Sequence, residues 1–396
     1  MESVVHQPFS RPSANDPYLS ALNERVLIYD GATGTNLQLQ ELTADDFGGA
    51  AIEGCNEILV LTRPDAVELL HRSFLDEGVD VIETNSFGSF SVVLKEYGIA
   101  EKAHELAYTS AQLARKVADS YASPGSAKFV AGSIGPGTKF PSLGQISYDD
   151  LSKSYEELAF GLLEGGVDLL LVETMYDLLS GKAAIAACHR AIARHGRIVP
   201  IQAQVTIELT GKMLPGTEIG AAITALSPLG IDVIGLNCAT GPVEMYEPLR
   251  QLSETAPMPV ACLPNAGLPS VVDGKMHYDL TPDALAEHLA RFVTEYGVQV
   301  VGGCCGTSPE HLRRVVETIR PLTSAALHPV LEPAVASIYS PTSYSQDRSV
   351  LLVGERTNAN GSKKFREAMI EGDWDTCVGI GRDQIKEGAH ILDVCV

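Results

Sequence analysis

A regular alternation constrains this chain more than any other feature. Eight times in succession, a short run rich in Val, Ile and Leu gives way to a polar or glycine-rich loop and then to a helical stretch. The runs are RVLIYDGATGT from Arg25, VDVIETNSFG from Val79, KFVAGSIGPG from Lys128, VDLLLVETMYD from Val167 and IVPIQAQVTIE from Ile198. They continue with IDVIGLNCATG from Ile231, PVACLPNAGLP from Pro259 and VQVVGGCCGTSP from Val298. Helical patterns lie between them, at Pro64–Glu77, Ser89–Ser120, Asp150–Glu164, Thr217–Leu226, Val243–Glu254, Pro282–Tyr296 and Pro309–Ile319. Uninterrupted apolar runs suit parallel strands buried on both faces, and strand–helix alternation predicts right-handed βαβ units. Eight such units over about 300 residues predict an α/β fold of the (β/α)8 TIM-barrel type. A doubly wound open sheet is the alternative that periodicity leaves standing. The strand ends favour the barrel. DGATGT, ETNSFG, GSIGPG, VETMYD, NCATG, PNAG and GGCCGTSP are all polar or glycine-rich, and a barrel would gather them on one rim.

The rhythm divides the chain. Residues 1–20, MESVVHQPFSRPSANDPYLS, mix polar residues with prolines and read as an N-terminal tail with no secretory h-region. The barrel occupies 21–325. A Pro-, Ser- and Ala-rich stretch at 326–348 reads as a linker. At 349–396 the rhythm restarts with SVLLVGERTN, a helical stretch over Lys363–Glu387, and HILDVCV. One βαβ unit cannot bury its own apolar faces, so this last region reads either as a fragment of a larger domain, the favoured reading, or as a piece that docks on the first.

Charge narrows the partners. The formal net charge is −21, which repels phosphate backbones and anionic membrane surfaces and excludes nucleic acid and membrane as expected partners. No apolar run is long enough to span a bilayer. Eight cysteines in a chain this long, with no export signal, predict a reducing, cytoplasmic setting in place of a disulfide scaffold. Cysteines there are buried small residues or ligands.

Three of them fall where ligands belong. Cys304 and Cys305 sit in GGCCGT at the end of the eighth run, and Cys238 in NCATG at the end of the sixth. Glycines on both sides let the backbone bend so that adjacent thiolates can face one ion. Three thiolates make an incomplete tetrahedron for zinc, with the fourth position left for water or substrate. Three anionic sulfurs make zinc a poor activator of water but a good partner for a soft fourth ligand, and a substrate thiol is the natural choice. Cys55, Cys188, Cys262, Cys377 and Cys395 read as ordinary buried or surface thiols. The ten histidines form no H-x-x-x-H pair, which disfavours a histidine-based hydrolytic site.

Other rim residues suggest what carries that thiol. In Asp30-Gly31-Ala32-Thr33-Gly34-Thr35, successive backbone N–H groups could hold a carboxylate. Glu83 and Glu173 end the second and fourth runs and suit an ammonium group, and Asn265 in PNAG is a further candidate. Anion loop, acids and thiolates together describe a thiol-bearing amino acid as substrate. The competing view from another class is a non-catalytic zinc or thiol-sensing barrel.

DGATGT, ETNSFG, GLNCATGP, PNAGLP and GGCCGTSPEHL together resemble the homocysteine S-methyltransferase family, from about Arg25 to Ile319. The resemblance implies a (β/α)8 barrel with zinc on Cys238, Cys304 and Cys305. It also implies homocysteine contacts from Asp30, Gly31, Glu83 and Glu173, and Ala32, Thr33 and Asn265 stand as further substrate-binding candidates by their place on the rim. Members of this family differ in methyl donor: betaine, S-methylmethionine or methylcobalamin. The barrel does not choose among them. LVGERTN from Leu352 and GAHILDV from Gly388 resemble the start of the pterin-binding barrel that follows in the cobalamin-dependent methionine synthases. That implies a methyl group passing from 5-methyltetrahydrofolate through methylcobalamin, carried by a separate cobalamin-binding module, to homocysteine. Asn358 and Asp393 are then implied pterin contacts. The pattern departs at Cys395, where the family often has Asn.

Overall fold

The computed structural model describes residues 9, 11–13, 15–272 and 275–396, which form two compact units, Met1–Val330 and Leu331–Val396. The first is the expected barrel. Its strands are β1 (Leu27–Ile28), β2 (Val81–Glu83), β3 (Phe129–Ile134), β4 (Leu169–Met175), β5 (Ile201–Val205), β6 (Val233–Asn237), β7 (Val260–Leu263) and β8 (Val300–Val301). All are parallel, in the order β1-β8-β7-β6-β5-β4-β3-β2. A parallel bridge between Tyr29 and Val81 joins the two ends, with Asp30 N donating to Val81 O at 3.0 Å, so the sheet closes on itself. This excludes the open doubly wound sheet.

Period-two alternation assigns the two faces of each strand. In β4, Leu169 and Leu171 point into the barrel, whereas Leu170 and Val172 join the cluster under the helices. In β2, Val81 points in and Ile82 out; in β6, Val233 points in and Ile234 out. The same parity carries Glu83, Glu173 and Asn237 to the inner face, one layer nearer the strands' C-terminal ends.

The helices between the strands end as their sequences suggest. Ser147, Asp177 and Thr281 cap Tyr148–Gly165, Leu178–His195 and Pro282–Tyr296, and Gly166, Gly196 and Gly297 close them in the left-handed conformation. The expected long helix over Ser89–Ser120 is broken. Gly98 at φ 72° ends a first turn, and the continuous helix is Ala103–Tyr121.

The tail reading of residues 1–20 is corrected at its end. Pro17–Glu24 is a helix, with the Asp16 side chain accepting from Tyr18 N and Leu19 N and Pro17 in its first turn. It plugs the N-terminal end of the barrel. Tyr18 is 1% exposed, its ring meets Phe129 edge-on, and its hydroxyl lies 2.8 Å from that of Tyr29 and 2.9 Å from Gln202 Oε1.

In the second unit, Val353–Gly354 and Ile391–Leu392 pair in parallel, flanked by helices Lys363–Glu371 and Trp374–Lys386. Gly372 in the left-handed region divides what the sequence suggested as one helical stretch. The linker region holds a small hairpin, Ala334–Ala336 against Pro341–Ser343. Val378, Ile385 and Val394 remain exposed around an apolar groove, as expected where a single βαβ unit lacks enough surface to cover itself. Among the described residues, no helix is long and apolar enough to cross a membrane.

Candidate metal and substrate site

At the C-terminal end of the barrel, a cavity of about 370 Å³ is lined by the Gly31–Thr35 loop, Glu83, Glu173, Asn237 and the three cysteines Cys238, Cys304 and Cys305. The Sγ atoms of that trio all lie within 4.8 Å of one another, and those of Cys238 and Cys305 are 3.9 Å apart. Sulfurs held tetrahedrally about one zinc ion would be about 3.8 Å apart. The donor set therefore fits zinc in spacing as well as in softness. Among the described residues, this is the only such group of His, Cys, Asp and Glu side chains.

The backbone explains how residues 67 positions apart meet. Cys238 and Ala239 turn off β6 with φ of 63° and 57°, a left-handed conformation that is costly for residues with a side chain and that swings the thiol back over the cavity. Across from them, the chain after β7 staples both cysteine loops. Cys238 N donates to Leu263 O and Asn265 N to Thr240 O, while Cys304 N donates to Pro264 O and Ala266 N to Cys305 O. Gly303 lies so close to Thr307 that a Cβ would overlap its side chain, and the same threonine leaves no room for one on Gly31. The Thr307 hydroxyl donates to Cys304 O at 2.7 Å and accepts from Ala32 N at 3.1 Å, joining the cysteine loop to the first loop.

Without a metal, the three thiols do not share charge evenly. Hydrogen bonds from Cys238 and Cys304 hold Cys305 down to about 3, whereas Cys304 is pushed well up by its bonds to Cys238 and Cys305 and by burial. Thiols this close and this buried oppose one another's ionisation, and a dication is what would let all three ionise.

The acids face the same way. Asp30 Oδ2 accepts from Glu83 N at 3.1 Å, and its Oδ1 is buried without a partner. Glu173 accepts from the Ser133 hydroxyl and from Asn237 Nδ2. Strand parity points its carboxylate into the cavity, and just beyond it the register of β4 shifts between Val172 and Met175, with Thr174 at φ 57°. Burial raises all three acids. Asp30 and Glu83 go well above the usual range, Glu83 further by the nearby charges of Glu173 and Asp30, and Glu173 rises to about 7. Half-buried Glu83 and buried Glu173 line the cavity, with Asp30 buried behind Glu83 and outside the lining, and with no cation among the lining residues they call for a positive group from outside.

Two readings need adjustment. Ala32 N is committed to Thr307, so that amide is not free for an anion. Asn265 is buried, with its Oδ1 unpartnered, and lies outside the cavity lining. The sequence reading missed Asn237, Glu57 and Tyr176, all of which line the cavity. Asn237 Nδ2 bonds Glu173, Oδ1 accepts from Thr174 N at 2.8 Å, and the amide lies 4.0 Å from Cys304 Sγ. Glu57 lines the cavity and accepts from Gly88 N at 2.8 Å, tying the first loop to the second. Cys55, Cys188 and Cys262 are buried, as expected. In the second unit, Asn358 Nδ2 donates to Asp393 Oδ2 at 2.8 Å, so these two meet, and Asn360 Nδ2 reaches Cys395 Sγ at 3.5 Å.

The homocysteine S-methyltransferase family model matches residues 27–319. The chain belongs to the homocysteine S-methyltransferase family. A second model, of pterin-binding enzymes, matches residues 354–396. Among curated relatives, methionine synthase of Mycobacterium tuberculosis is 51% identical over 378 residues, and that of Mycobacterium leprae 50% over 383. Each alignment covers 96% of this chain but 32% of the relative, so the chain spans about a third of the length of the curated relatives it matches. Among solved structures, the homocysteine methyltransferase MmuM from Escherichia coli, in its metallated form, aligns with a TM-score of 0.61 at 20% identity. It covers 76% of this chain and 98% of that one, a likeness of the family fold.

Proposed function

We propose that the barrel binds homocysteine and presents its sulfur, as a thiolate, to a methyl group, so that methionine forms. The observation that carries this is one cavity lined by three convergent thiols and by the carboxyls of Glu83 and Glu173. Cys238, Cys304 and Cys305 would hold zinc, which when bound would lower the pKa of a fourth, incoming thiol into the neutral range. Glu83 and Glu173 take the α-ammonium, and each charge offsets the burial of the other. Asp30 fixes the Glu83 backbone and, through its free Oδ1, offers a second acceptor. Gly31 and Thr33 in the first loop are the amides proposed for the α-carboxylate, with Ala32 N holding the loop to Thr307. Asn237 braces Glu173 and keeps the amino end of the substrate in register with the sulfur end. The bond that forms is sulfur to methyl carbon, and the bond that breaks joins that carbon to its donor. With the thiol already ionised, the chain needs no general base at this step.

The proposed donor is methylcobalamin, recharged from 5-methyltetrahydrofolate and brought by a cobalamin-binding module. The pterin-binding match over residues 354–396 supports this, as does the likeness to methionine synthases. Asn358 and Asp393 are the pterin contacts proposed in that region. The direct test supplies the purified chain with zinc, homocysteine and, in parallel, methylcobalamin, betaine or S-methylmethionine. Methionine should form from methylcobalamin alone. Formation from betaine or S-methylmethionine at a comparable rate would overturn the choice of donor, and formation from none would overturn the transferase reading.

A further inference from the structure

The first loop and the cysteine loop follow β1 and β8, which are neighbours in the barrel. Gly303 N donates to Asp30 O at 3.1 Å where the two strands end. Beyond that point no sheet joins the loops, and two consecutive residues of the helix Thr33–Gln38 hold them together. Thr35 Oγ1 accepts from Gly306 N at 3.2 Å. Gly306 follows the cysteine pair at φ 80°, and a glycine backbone is free to move, so the bond to Thr35 restrains it. Asn36 Nδ2 donates to Ala32 O at 2.6 Å and to Thr307 O at 2.9 Å, so both of its N–H groups are used, one on each loop. Asn36 is buried and lies outside the cavity lining, whereas Thr35 is part of the lining.

We propose that Thr35 and Asn36 are positioning residues that set the length of amino-acid thiol the cavity accepts. The inference rests on the homocysteine reading above, which puts the sulfur at Cys238, Cys304 and Cys305 and the carboxylate against the first loop. A substrate held at both ends measures the distance between its two anchors. Homocysteine exceeds cysteine by one methylene, and one methylene commonly changes affinity roughly ten- to two-hundredfold. A tight wall does not supply that discrimination here, because a cavity of about 370 Å³ is of a size that holds larger ligands. Fixed anchors do supply it, provided that they shift by less than the length of the extra bond. The acids on β2 and β4 are fixed by the sheet itself. The two anchoring loops are fixed instead by the side-chain bonds of Thr35, Asn36 and Thr307.

The test reads binding, not methyl transfer. Calorimetry on the zinc-loaded full chain measures affinity for L-homocysteine and for L-cysteine, and mass spectrometry counts the bound zinc. The proteins are wild type, Asn36→Leu, Thr35→Val and Thr35→Ser. Wild type should favour homocysteine at least about tenfold. Asn36→Leu keeps the volume without the donors, and Thr35→Val keeps the shape without the acceptor. Each should cut the preference severalfold, chiefly by weakening homocysteine, with zinc retained. Thr35→Ser keeps the hydroxyl and should keep the preference. An unchanged preference in either of the first two variants would overturn the proposal for that residue. Equal weakening of both thiols would overturn it altogether, since that means general loosening and not a set spacing. Should Asn36→Leu fail to fold, the two Thr35 variants decide. Wild type binding both thiols alike would overturn this inference alone, and wild type binding neither would take down the homocysteine reading beneath it.

Discussion

Asn237 donates its side-chain amide to the carboxylate of Glu173 across 3.2 Å, so the last residue of β6 braces the acid near the end of β4. The same side chain accepts from Thr174 N and sits one residue before Cys238. It therefore connects the proposed ammonium site to the sulfur site. Asn237→Ala should leave Thr174 N unpaired and Glu173 loose. The expected cost to stability is about 1–3 kcal/mol in a urea titration. The larger effect should be on homocysteine affinity, weakened roughly tenfold or more by calorimetry, since one lost hydrogen bond to a charged group is worth about 1.5–3 kcal/mol. Unchanged affinity would remove Asn237 from the site.

Glu83 predicts a pH dependence with a definite sign. Burial, with the nearby charges of Glu173 and Asp30, raises its folded pKa well above the ordinary carboxylate range, so the stability it contributes is fully present below that range and is lost as pH rises. Glu83→Gln removes this loss. Wild type and variant should have similar melting temperatures near pH 4, and the variant should be the more stable by pH 8 when no substrate is present. Homocysteine should narrow the gap by stabilising wild type alone. A variant less stable than wild type at pH 8 would contradict the assignment.

How much of this was legible in the sequence follows from which residues depend on local rules. Glu83 and Glu173 could be found because strand parity and position at a run's end place a side chain without knowledge of its neighbours. Cys238, Cys304 and Cys305 were legible from their position at a run's end with glycines marking the bends, since parity alone would turn Cys238 away and the left-handed turn brings it back. Asn237 obeys the same parity as Val233 and could have been found, but adjacent Cys238 drew the reading one residue too far. Glu57 was not legible. It reaches the site from a long connecting loop, and its placement depends on a contact with Gly88 that no local pattern encodes. The helix Pro17–Glu24 had a signal in Asp16-Pro17, but the polar, proline-rich residues before it hid that signal. Its reason to fold is the long-range bond from Tyr18 to Gln202, 184 residues away.

That plug gives a prediction confined to stability. Tyr18→Ala should cost about 3–5 kcal/mol, as for other large aromatic truncations in a core. Tyr18→Phe should lose only the hydroxyl's bonds, about 0.5–1.5 kcal/mol, since Tyr29 keeps its own bond to Gln202 at 3.1 Å. Neither variant should change homocysteine affinity where the protein is folded, because the plug lies at the end of the barrel away from the cavity. A tenfold loss of affinity in folded Tyr18→Phe would show coupling that this structure does not account for.

Cys305 predicts the opposite division. It is a half-buried rim residue and not a core one, so Cys305→Ala should fold with a melting temperature close to that of the metal-free wild type. Zinc retained after dialysis, measured by mass spectrometry, should fall to background, since two thiolates alone make a weak site. Full zinc occupancy with full methyl transfer would show that the trio is not the metal centre.

The central claim is that the substrate's sulfur completes the donor set of the three cysteines. Zinc K-edge X-ray absorption on the zinc-loaded chain, with and without homocysteine, reads this directly. The account predicts three sulfur neighbours and one lighter atom in the free protein, changing to four sulfurs when homocysteine is added. Four sulfurs in both states, or zinc whose neighbours do not change with homocysteine, would mean a closed or unrelated metal site and would contradict it.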